Sequence, residues 1–166
     1  MTDWGAHHFD IAQWGLGMDE SGPVEIIPPD GKDFKVLTYK YANGVTMVRD
    51  NANGVLFTGT KGKVETNRGH LKTWPDELKD VKLRADEIHL YECNNHYVDW
   101  LDAIRNRSKP ICDIETGCRS VTVCHLGNIA YRLHRPLKWD PARELFVGDD
   151  EASRLLSRGY RSPWHL

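Results

Sequence analysis

The sequence predicts an α+β fold in which an open, mainly antiparallel sheet carries helices packed on one face. Three observations predict it: a helix near the start, a middle run of short strands joined by tight turns, and two further helices after them. Strands joined by short turns pair antiparallel, and strands followed by helices are typical of α+β proteins. Such a sheet leaves its second face free for solvent or for a partner subunit.

Composition is that of a globular protein of ordinary domain size. The chain has 166 residues, of which 40% are hydrophobic and 28% charged. Its net charge is −2 and its basic residues are scattered, so we predict neither nucleic acid nor an anionic membrane as a partner. No stretch approaches the roughly 20 apolar residues of a membrane span. The acidic, aromatic N-terminus is not that of a signal peptide.

The first element is a helix predicted from about Asp3 to Trp14. Ile11 and Trp14 continue, at helical spacing, the face that begins at His7. Gly15 and Gly17 end the helix.

The middle of the chain is predicted as a loop followed by strands. Residues 21–32 form a Pro/Gly-rich loop with one short apolar run at 24–27. The predicted strands cover residues 34–41, 45–49, 55–58 and 63–66. The turns between them centre on Asn43-Gly44, Asn53-Gly54 and 59–62, since Asn and Gly tolerate the positive φ of hairpin turns. The pattern predicts one meander, extended by residues near Lys72 and Val81.

The helix after the strands has one apolar face, formed by Tyr97, Trp100, Leu101 and Ile104. Asn94 or Asn95 is its predicted cap, and Lys109-Pro110 ends it.

A longer helix follows, with Asp113 as its predicted cap. Its buried stripe consists of Leu126, Ile129, Ala130 and Leu133. In the tail, Asp140-Pro141 starts a turn and Asp149 or Asp150 caps a short helix. That helix is predicted to include Leu155 and Leu156, and residues 161–166 close the chain.

The densest set of titratable side chains is the N-terminal run Asp3-Trp4-Gly5-Ala6-His7-His8-Phe9-Asp10. Asp3 and His7 are four residues apart, so on a helix their Cβ atoms lie about 5–6 Å apart. A carboxylate that orients an imidazole is the basic part of a proton-transfer site.

Structural roles explain the same residues individually. Asp3 suits a helix N-cap, and His7 suits a helix surface. Asp10 either faces a substrate or balances the helix dipole. His8 points about 100° away from His7 around the helix and is expected to be packed or exposed.

Two further features are weaker site candidates. Trp4 lies beside the Asp3/His7 pair, and His96 and Tyr97 begin the second helix, where they line a pocket or belong to a cap.

No metal site is predicted. The four cysteines contain no C-x-x-C pair. A metal-dependent hydrolase using Asp3, His7, His8 and Asp10 is a disfavoured alternative, because adjacent histidines diverge on a helix whereas helical zinc pairs are four apart. The sequence also lacks a G-x-G-x-x-G dinucleotide loop and a G-x-S-x-G nucleophile elbow.

The pattern D-x-G-x-H-x-x-D, formed by Asp3, Gly5, His7 and Asp10, resembles a signature of the Gfo/Idh/MocA oxidoreductases. This family includes glucose-fructose oxidoreductase, inositol dehydrogenase and proteins of rhizopine catabolism. Residues 59–64 resemble its hairpin segment, and residues 96–117 resemble its paired helices. Residues 124–133 and 161–164 are similar to members abundant in planctomycetes and related bacteria.

The resemblance implies a two-domain enzyme. An N-terminal Rossmann domain would bind NAD or NADP, and a C-terminal α+β domain of the glyceraldehyde-3-phosphate dehydrogenase-like type would supply the substrate site. Residues 1–166 would be that second domain alone, because the family's triple glycine and Glu-Lys-Pro motif are absent. The open sheet face would form a homo-oligomer.

The resemblance also implies roles for individual residues. His7 matches the catalytic histidine, a general acid/base. Asp3 matches the acidic residue that helps to position the substrate and polarises that histidine. The remaining substrate-site candidates are Trp4, Asp10, Asn94, His96 and Tyr97. No cofactor-binding residue is expected in this chain.

The implied function is the substrate-binding half of an NAD(P)-dependent oxidoreductase that transfers hydride to or from a sugar, polyol or related carbohydrate. The isolated chain is expected to be inactive. The alternative from another class is a non-catalytic oligomerising module with a relic pocket. The expected location is the cytoplasm, or the periplasm if the missing N-terminus carries a twin-arginine leader.

Overall fold

The computed structural model describes residues 1–164; His165 and Leu166, at the end of the predicted closing segment, lie outside the described residues. The chain divides into two compact units. The first combines residues 1–51 with the chain from residue 119 onward, and the second consists of residues 52–118.

The elements follow one another in the order predicted, with some additions. They are α1 (Trp4–Gly15), β1 (Glu25–Ile27), β2 (Leu37–Lys40), β3 (Thr46–Arg49), β4 (Val55–Gly59), β5 (Gly62–Asn67), β6 (His70–Trp74), a 3₁₀ helix (Asp76–Asp80), α2 (His96–Asn106), α3 (Ile114–Leu133), β7 (Leu137–Asp140), β8 (Leu145–Phe146) and α4 (Asp150–Ser153). The helix α3 begins in the second unit and continues into the first.

The first unit is built on a five-stranded sheet of order β3-β2-β1-β7-β8. Its described strand pairs are antiparallel, as predicted. In the centre, Ile26 of β1 lies opposite Tyr39 of β2 on one side and Leu137 of β7 on the other. These three side chains share a face and are fully buried.

Helices cover that face of the sheet. The Phe9 ring of α1 meets the Tyr39 ring edge-on, with centroids 5.5 Å apart. The Tyr39 hydroxyl donates to the Val123 carbonyl of α3 at 3.1 Å, and burial raises the pKa of Tyr39 well above its ordinary value. The predicted α+β fold with helices on one sheet face is therefore confirmed.

A buried polar contact ties α1 to the sheet and to the loop that follows the helix. Tyr41 donates from its hydroxyl to Gln13 Oε1 at 2.7 Å. The Gln13 amide nitrogen donates to the carbonyls of Met18 and Ser21, both at 3.0 Å. Because Gln13 is fully buried, losing a partner here would leave a desolvated polar group.

Replacing Tyr41 with phenylalanine is therefore expected to lower the free energy of unfolding by about 1–2 kcal/mol. The ring stays, while the donor to Gln13 and the hydroxyl's contact with Met47 Sδ at 3.9 Å are lost. Urea denaturation of the two proteins measures the difference, and Tyr160→Phe, at an exposed position, is the control. An unchanged midpoint for Tyr41→Phe would show that Gln13 finds another donor.

The second unit contains a three-stranded antiparallel sheet of order β4-β5-β6 and the helix α2. Asn95 caps α2 by accepting from the backbone N–H groups of Tyr97 and Val98. Within α2, the Asp99 carboxylate accepts from the Tyr91 hydroxyl at 2.5 Å and from the Ile111 backbone N–H at 2.9 Å. These two bonds hold the pKa of Asp99 below its usual range.

The apolar face predicted for α2 exists but is exposed. Its members Tyr97, Trp100, Leu101 and Ile104 all retain at least 43% of their accessible surface. Only Ala103 of this helix is buried among the described residues.

The prediction of a single meander is wrong, because β3 and β4 belong to different sheets. The Asn53-Gly54 turn does not close a hairpin between β3 and β4; its residues contact β5 instead. The Asn67 side-chain amide donates to the Asn53 carbonyl at 3.0 Å, and the backbone of Gly54 lies against that of Thr66. These contacts lie within the second unit.

Three short strands escaped prediction, and one predicted extension is not a strand. The apolar run in the predicted loop is β1, and β7 and β8 flank the predicted turn at Asp140, whose carboxylate accepts from two following N–H groups. A strand of two to four residues shows too little alternation to be recognised. Residues near Lys72 do form β6, whereas Val81 follows the 3₁₀ helix and is exposed.

Both predicted aspartate caps of the later helices are confirmed. Asp113 accepts from the N–H of Glu115 at 2.7 Å, and Asp149 accepts from that of Ala152 at 3.0 Å. The helix α4 is shorter than predicted, so Leu155 and Leu156 lie beyond its end.

The Asp149 cap predicts a loss of stability in acid. Arg135 forms a two-bond ion pair with Asp149 and lowers the pKa of that carboxyl to about 2. Because the folded pKa is below the unfolded value of about 3.9, the contribution is complete above pH 4 and disappears as the pH falls toward 2. Thermal melts between pH 5 and pH 2 should therefore show a smaller decline for Asp149→Asn than for the parent protein. Parallel declines would contradict this assignment.

Within residues 1–164, none of the helices combines the length and apolar character needed to cross a membrane.

Candidate substrate site on the first helix

The position of α1 on the sheet decides which of its side chains reach solvent. Phe9, Ala12 and Gln13 are buried. The opposite side of the helix carries a stripe at helical spacing, formed by Trp4, His7, Ile11 and Trp14. Trp4 is 66% exposed and Trp14 40%, so this outward stripe is apolar, aromatic and available for contact. The helix face that was predicted to begin at His7 and to continue through Ile11 and Trp14 is thus the one that points away from the sheet.

His7 and Trp4 are in contact on this outward stripe. Their ring centroids are 5.6 Å apart and the rings are tilted by 49°. His7 is exposed, so its imidazole is accessible to a bound molecule and can exchange a proton with it. The neighbouring indole offers an apolar surface for the same molecule.

Asp3 precedes the helix and does not contact His7 through a polar bond. Its backbone angles are φ −107° and ψ −108°, and its side chain makes no capping hydrogen bond. Among the described residues, no hydrogen bond or ion pair joins the Asp3 carboxylate to the His7 imidazole. The helical spacing that places these groups on one face requires Asp3 to be inside the helix, whereas it lies just before the first turn. Both side chains remain exposed at the same end of α1.

Asp10 is engaged by a residue far along the chain. Ser120 of α3 donates to Asp10 Oδ1 at 2.6 Å. Asp10 also helps to raise the pKa of Asp19, although burial of Asp19 is the larger cause. Sequence reasoning missed Ser120, since 110 residues separate it from Asp10 and no local pattern links them.

His8 is packed, as one of its two expected outcomes. Its Nε2 atom is buried and has no hydrogen-bond partner in the part of the chain that the structure describes.

The remaining candidates lie at the start of α2, in the second unit. Asn94 donates to Glu92 at 3.3 Å, while the cap itself is Asn95. The rings of His96 and Tyr97 are 4.1 Å apart, and Tyr97 is 68% exposed. The structure therefore gives two groups of candidates, each described within its own unit.

A family model described as "Oxidoreductase family, C-terminal alpha/beta domain" matches residues 1–166, the whole chain. The chain belongs to the Gfo/Idh/MocA oxidoreductase family. Neither the curated proteins nor the solved structures contain a match to it.

As a C-terminal domain of the Gfo/Idh/MocA family, the chain supports an oxidoreductase role at the level of class. That family generally uses NAD(P). The residues described here do not fit a dinucleotide, because its pyrophosphate is bound by a Gly-rich turn between a parallel strand and a helix. The strand pairs of both described sheets are antiparallel, so neither sheet provides such a turn. This domain is not the cofactor-binding one.

Within residues 1–164, no group of three or more His, Cys, Asp or Glu side chains is placed to hold a metal ion.

Proposed function

We propose that this domain is the substrate-binding half of an NAD(P)-dependent oxidoreductase that transfers hydride to or from a sugar, polyol or related carbohydrate. The observation that carries the proposal is the exposed His7 on the outward stripe of α1, inside the D-x-G-x-H-x-x-D pattern of the family. The nicotinamide cofactor is assigned to a separate domain, where it would accept or supply the hydride.

His7 is the proposed general acid/base. When a substrate hydroxyl is oxidised, its oxygen-bound proton must leave, and the His7 imidazole is accessible to receive it. In the reverse direction the imidazolium returns that proton to the carbonyl oxygen. General acid/base groups must reach the proton directly, so accessibility is the first requirement.

Trp4 and Asp3 are the proposed substrate-positioning residues. The exposed Trp4 indole beside His7 provides a flat apolar surface for the C–H face of a sugar ring. The Asp3 carboxylate is exposed at the same helix end and can accept hydrogen bonds from sugar hydroxyls. It acts on His7 through the substrate in this proposal, since the two side chains are not bonded to each other.

Asp10 has a supporting part. Its bond to Ser120 at 2.6 Å holds α1 against α3 and so fixes the helix on which His7 stands. Asn94, His96 and Tyr97, which are exposed in the second unit, stay predictions as substrate contacts.

The second face of the five-stranded sheet is the proposed homo-oligomer interface. It carries the Lys40–Glu25 ion pair at 2.9 Å and the exposed side chains of Val48 and Lys138. Light scattering after gel filtration tests this, and Val48→Glu is expected to reduce the oligomer. A monomeric parent protein would contradict it.

A direct test of the function uses the domain joined to the NAD(P)-binding domain of its own protein. Sugars, polyols and inositols are offered in turn with NAD or NADP, and nicotinamide reduction is followed by absorbance. We expect turnover with at least one compound of this class. Turnover restricted to non-carbohydrate alcohols would contradict the substrate class, and the isolated chain should show no saturable NAD(H) or NADP(H) binding.

A non-catalytic ligand-binding module is the second candidate function, favoured by the absence of a bond between Asp3 and His7. It predicts that turnover does not depend on His7, so that His7→Ala would leave kcat/KM unchanged.

A further inference from the structure

The exposed face of the three-stranded sheet carries a regular array of six side chains. In one row Leu56, Glu65 and Lys72 lie opposite one another across β4, β5 and β6. In the next row Thr58, Lys63 and Trp74 do the same. Because directly opposed residues in antiparallel strands point to the same side, all six side chains share one face.

Five of these six side chains, all except Lys72, line an open groove of about 700 Å³. Leu56 is 52% exposed and Trp74 38%, so both apolar groups reach the groove. The volume falls within the range of sites that bind small molecules. We call this feature the Trp74 groove; its lining belongs entirely to the second unit.

The charges in the Trp74 groove favour an anion. Two lysines of the lining, Lys61 and Lys63, together with Lys72 on the same sheet face, outnumber one carboxylate. That carboxylate, Glu65, is already bonded to His70 at 2.9 Å. Lys61 and Lys63 have no ion-pair or hydrogen-bond partner among residues 1–164, and Lys72 Nζ lies 4.8 Å from the Trp74 ring centroid. Uncompensated ammonium groups beside an aromatic ring attract anionic ligands.

Gly62 lies close to the backbone of Trp74. Its φ is +149°, and a Cβ there would overlap the Trp74 carbonyl oxygen and lie 2.6 Å from a Leu78 methyl carbon. The close approach of β5 to the end of β6 therefore requires glycine.

We propose that the Trp74 groove binds a saccharide that carries an anionic group, with the sugar ring against Trp74 and the anion at Lys61 and Lys63. The electron-rich face of an indole attracts the weakly positive C–H face of a pyranose, and lysine ammonium groups bind carboxylate or phosphate. Single-stranded nucleic acid is disfavoured, since its binding grooves use several aromatic side chains along a basic track, whereas this groove has one and the chain's net charge is −2.

This proposal rests on the second unit alone. It requires neither His7 nor a nicotinamide cofactor, so an inactive oxidoreductase would leave it intact, and its failure would leave the proposed function intact.

Calorimetric titration of the whole 166-residue chain tests the proposal. The probes are trigalacturonate and glucose 6-phosphate, which present a carboxylate and a phosphate, and neutral maltotriose. We expect saturable binding of at least one anionic probe, which identifies its anion, and binding at least about tenfold weaker for maltotriose. Trp74→Ala should weaken binding of the anionic probe about tenfold or more. Lys63→Gln should also weaken this binding and reduce its dependence on salt concentration.

The matched control is Leu71→Ala. Leu71 is 59% exposed and alternates with Lys72 on the same strand, so it lies on the other face of the sheet; binding should be unchanged. Lys63→Gln, at an exposed position, keeps the test valid if Trp74→Ala does not fold. Absence of saturation, equal affinity for maltotriose, insensitivity to Lys63→Gln, or tighter binding of a short oligouridylate would each overturn the proposal.

Discussion

Replacing His7 with alanine is expected to lower kcat/KM of the enzyme by about 10²–10⁴-fold, the usual contribution of a general acid/base. The substitution removes the accessible imidazole from the outward stripe of α1 and leaves the helix packing intact, because the buried side of α1 is formed by Phe9, Ala12 and Gln13. The measurement is the initial rate of nicotinamide reduction by the domain joined to its NAD(P)-binding partner domain.

The matched control is His125→Ala, which removes an exposed histidine from α3 and should leave the rate unchanged. A second readout separates chemistry from structure: urea denaturation of His7→Ala should give the same midpoint as the parent protein. A rate within threefold of the parent protein would instead favour the non-catalytic module.

Trp4→Phe should act mainly on KM, since the phenyl ring retains part of the apolar surface.

Replacing Gly127 with alanine is expected to lower the free energy of unfolding by about 2–3 kcal/mol, the cost of overpacking a close-packed core. A Cβ at this position would overlap the Tyr39 hydroxyl oxygen and lie 2.8 Å from a Leu37 methyl carbon. Either α3 moves off the sheet or Tyr39 turns away, and the bond from Tyr39 to the Val123 carbonyl is then lost. Urea denaturation measures the difference.

For Gly117, on the same helix, we expect the opposite effect of an alanine substitution on stability. An added Cβ there meets no heavy atom within 4 Å, so Gly117→Ala should raise stability by about 0.5–1 kcal/mol through helix propensity alone. If both substitutions stabilised the protein, the result would contradict the close approach of α3 to the sheet at Gly127.

Several features of the fold follow from local chemistry and were predictable. The extents of α1, α2 and α3 follow from helical spacing, and the caps Asn95, Asp113 and Asp149 follow from side chains that suit helix starts. The hairpins that pair β2 with β3 and β4 with β5 follow from alternation and turn residues. Each of these signals acts over fewer than about five residues, so the sequence displays it directly.

The composition of the sheets was not predictable, because strand partners are chosen over long distances. β1 is only three residues long, yet it occupies the centre of the five-stranded sheet, since its neighbours β2 and β7 bury it from both sides. Likewise, the pairing of Asp10 with Ser120 depends on α1 and α3 meeting, and no local pattern records that meeting.

The sequence by itself determined the α+β class, the family, and His7 as the candidate proton-transfer residue, because these depend on residue type and short spacing. Only the tertiary structure decided that His7 and Trp4 face outward, that Asp10 is bonded to Ser120, and that Asp3 is separate from His7. It also assembled the Trp74 groove from three strands whose side chains meet only through their register. Burial and cross-strand contact are properties of the packed chain, and packing is what a linear pattern does not contain.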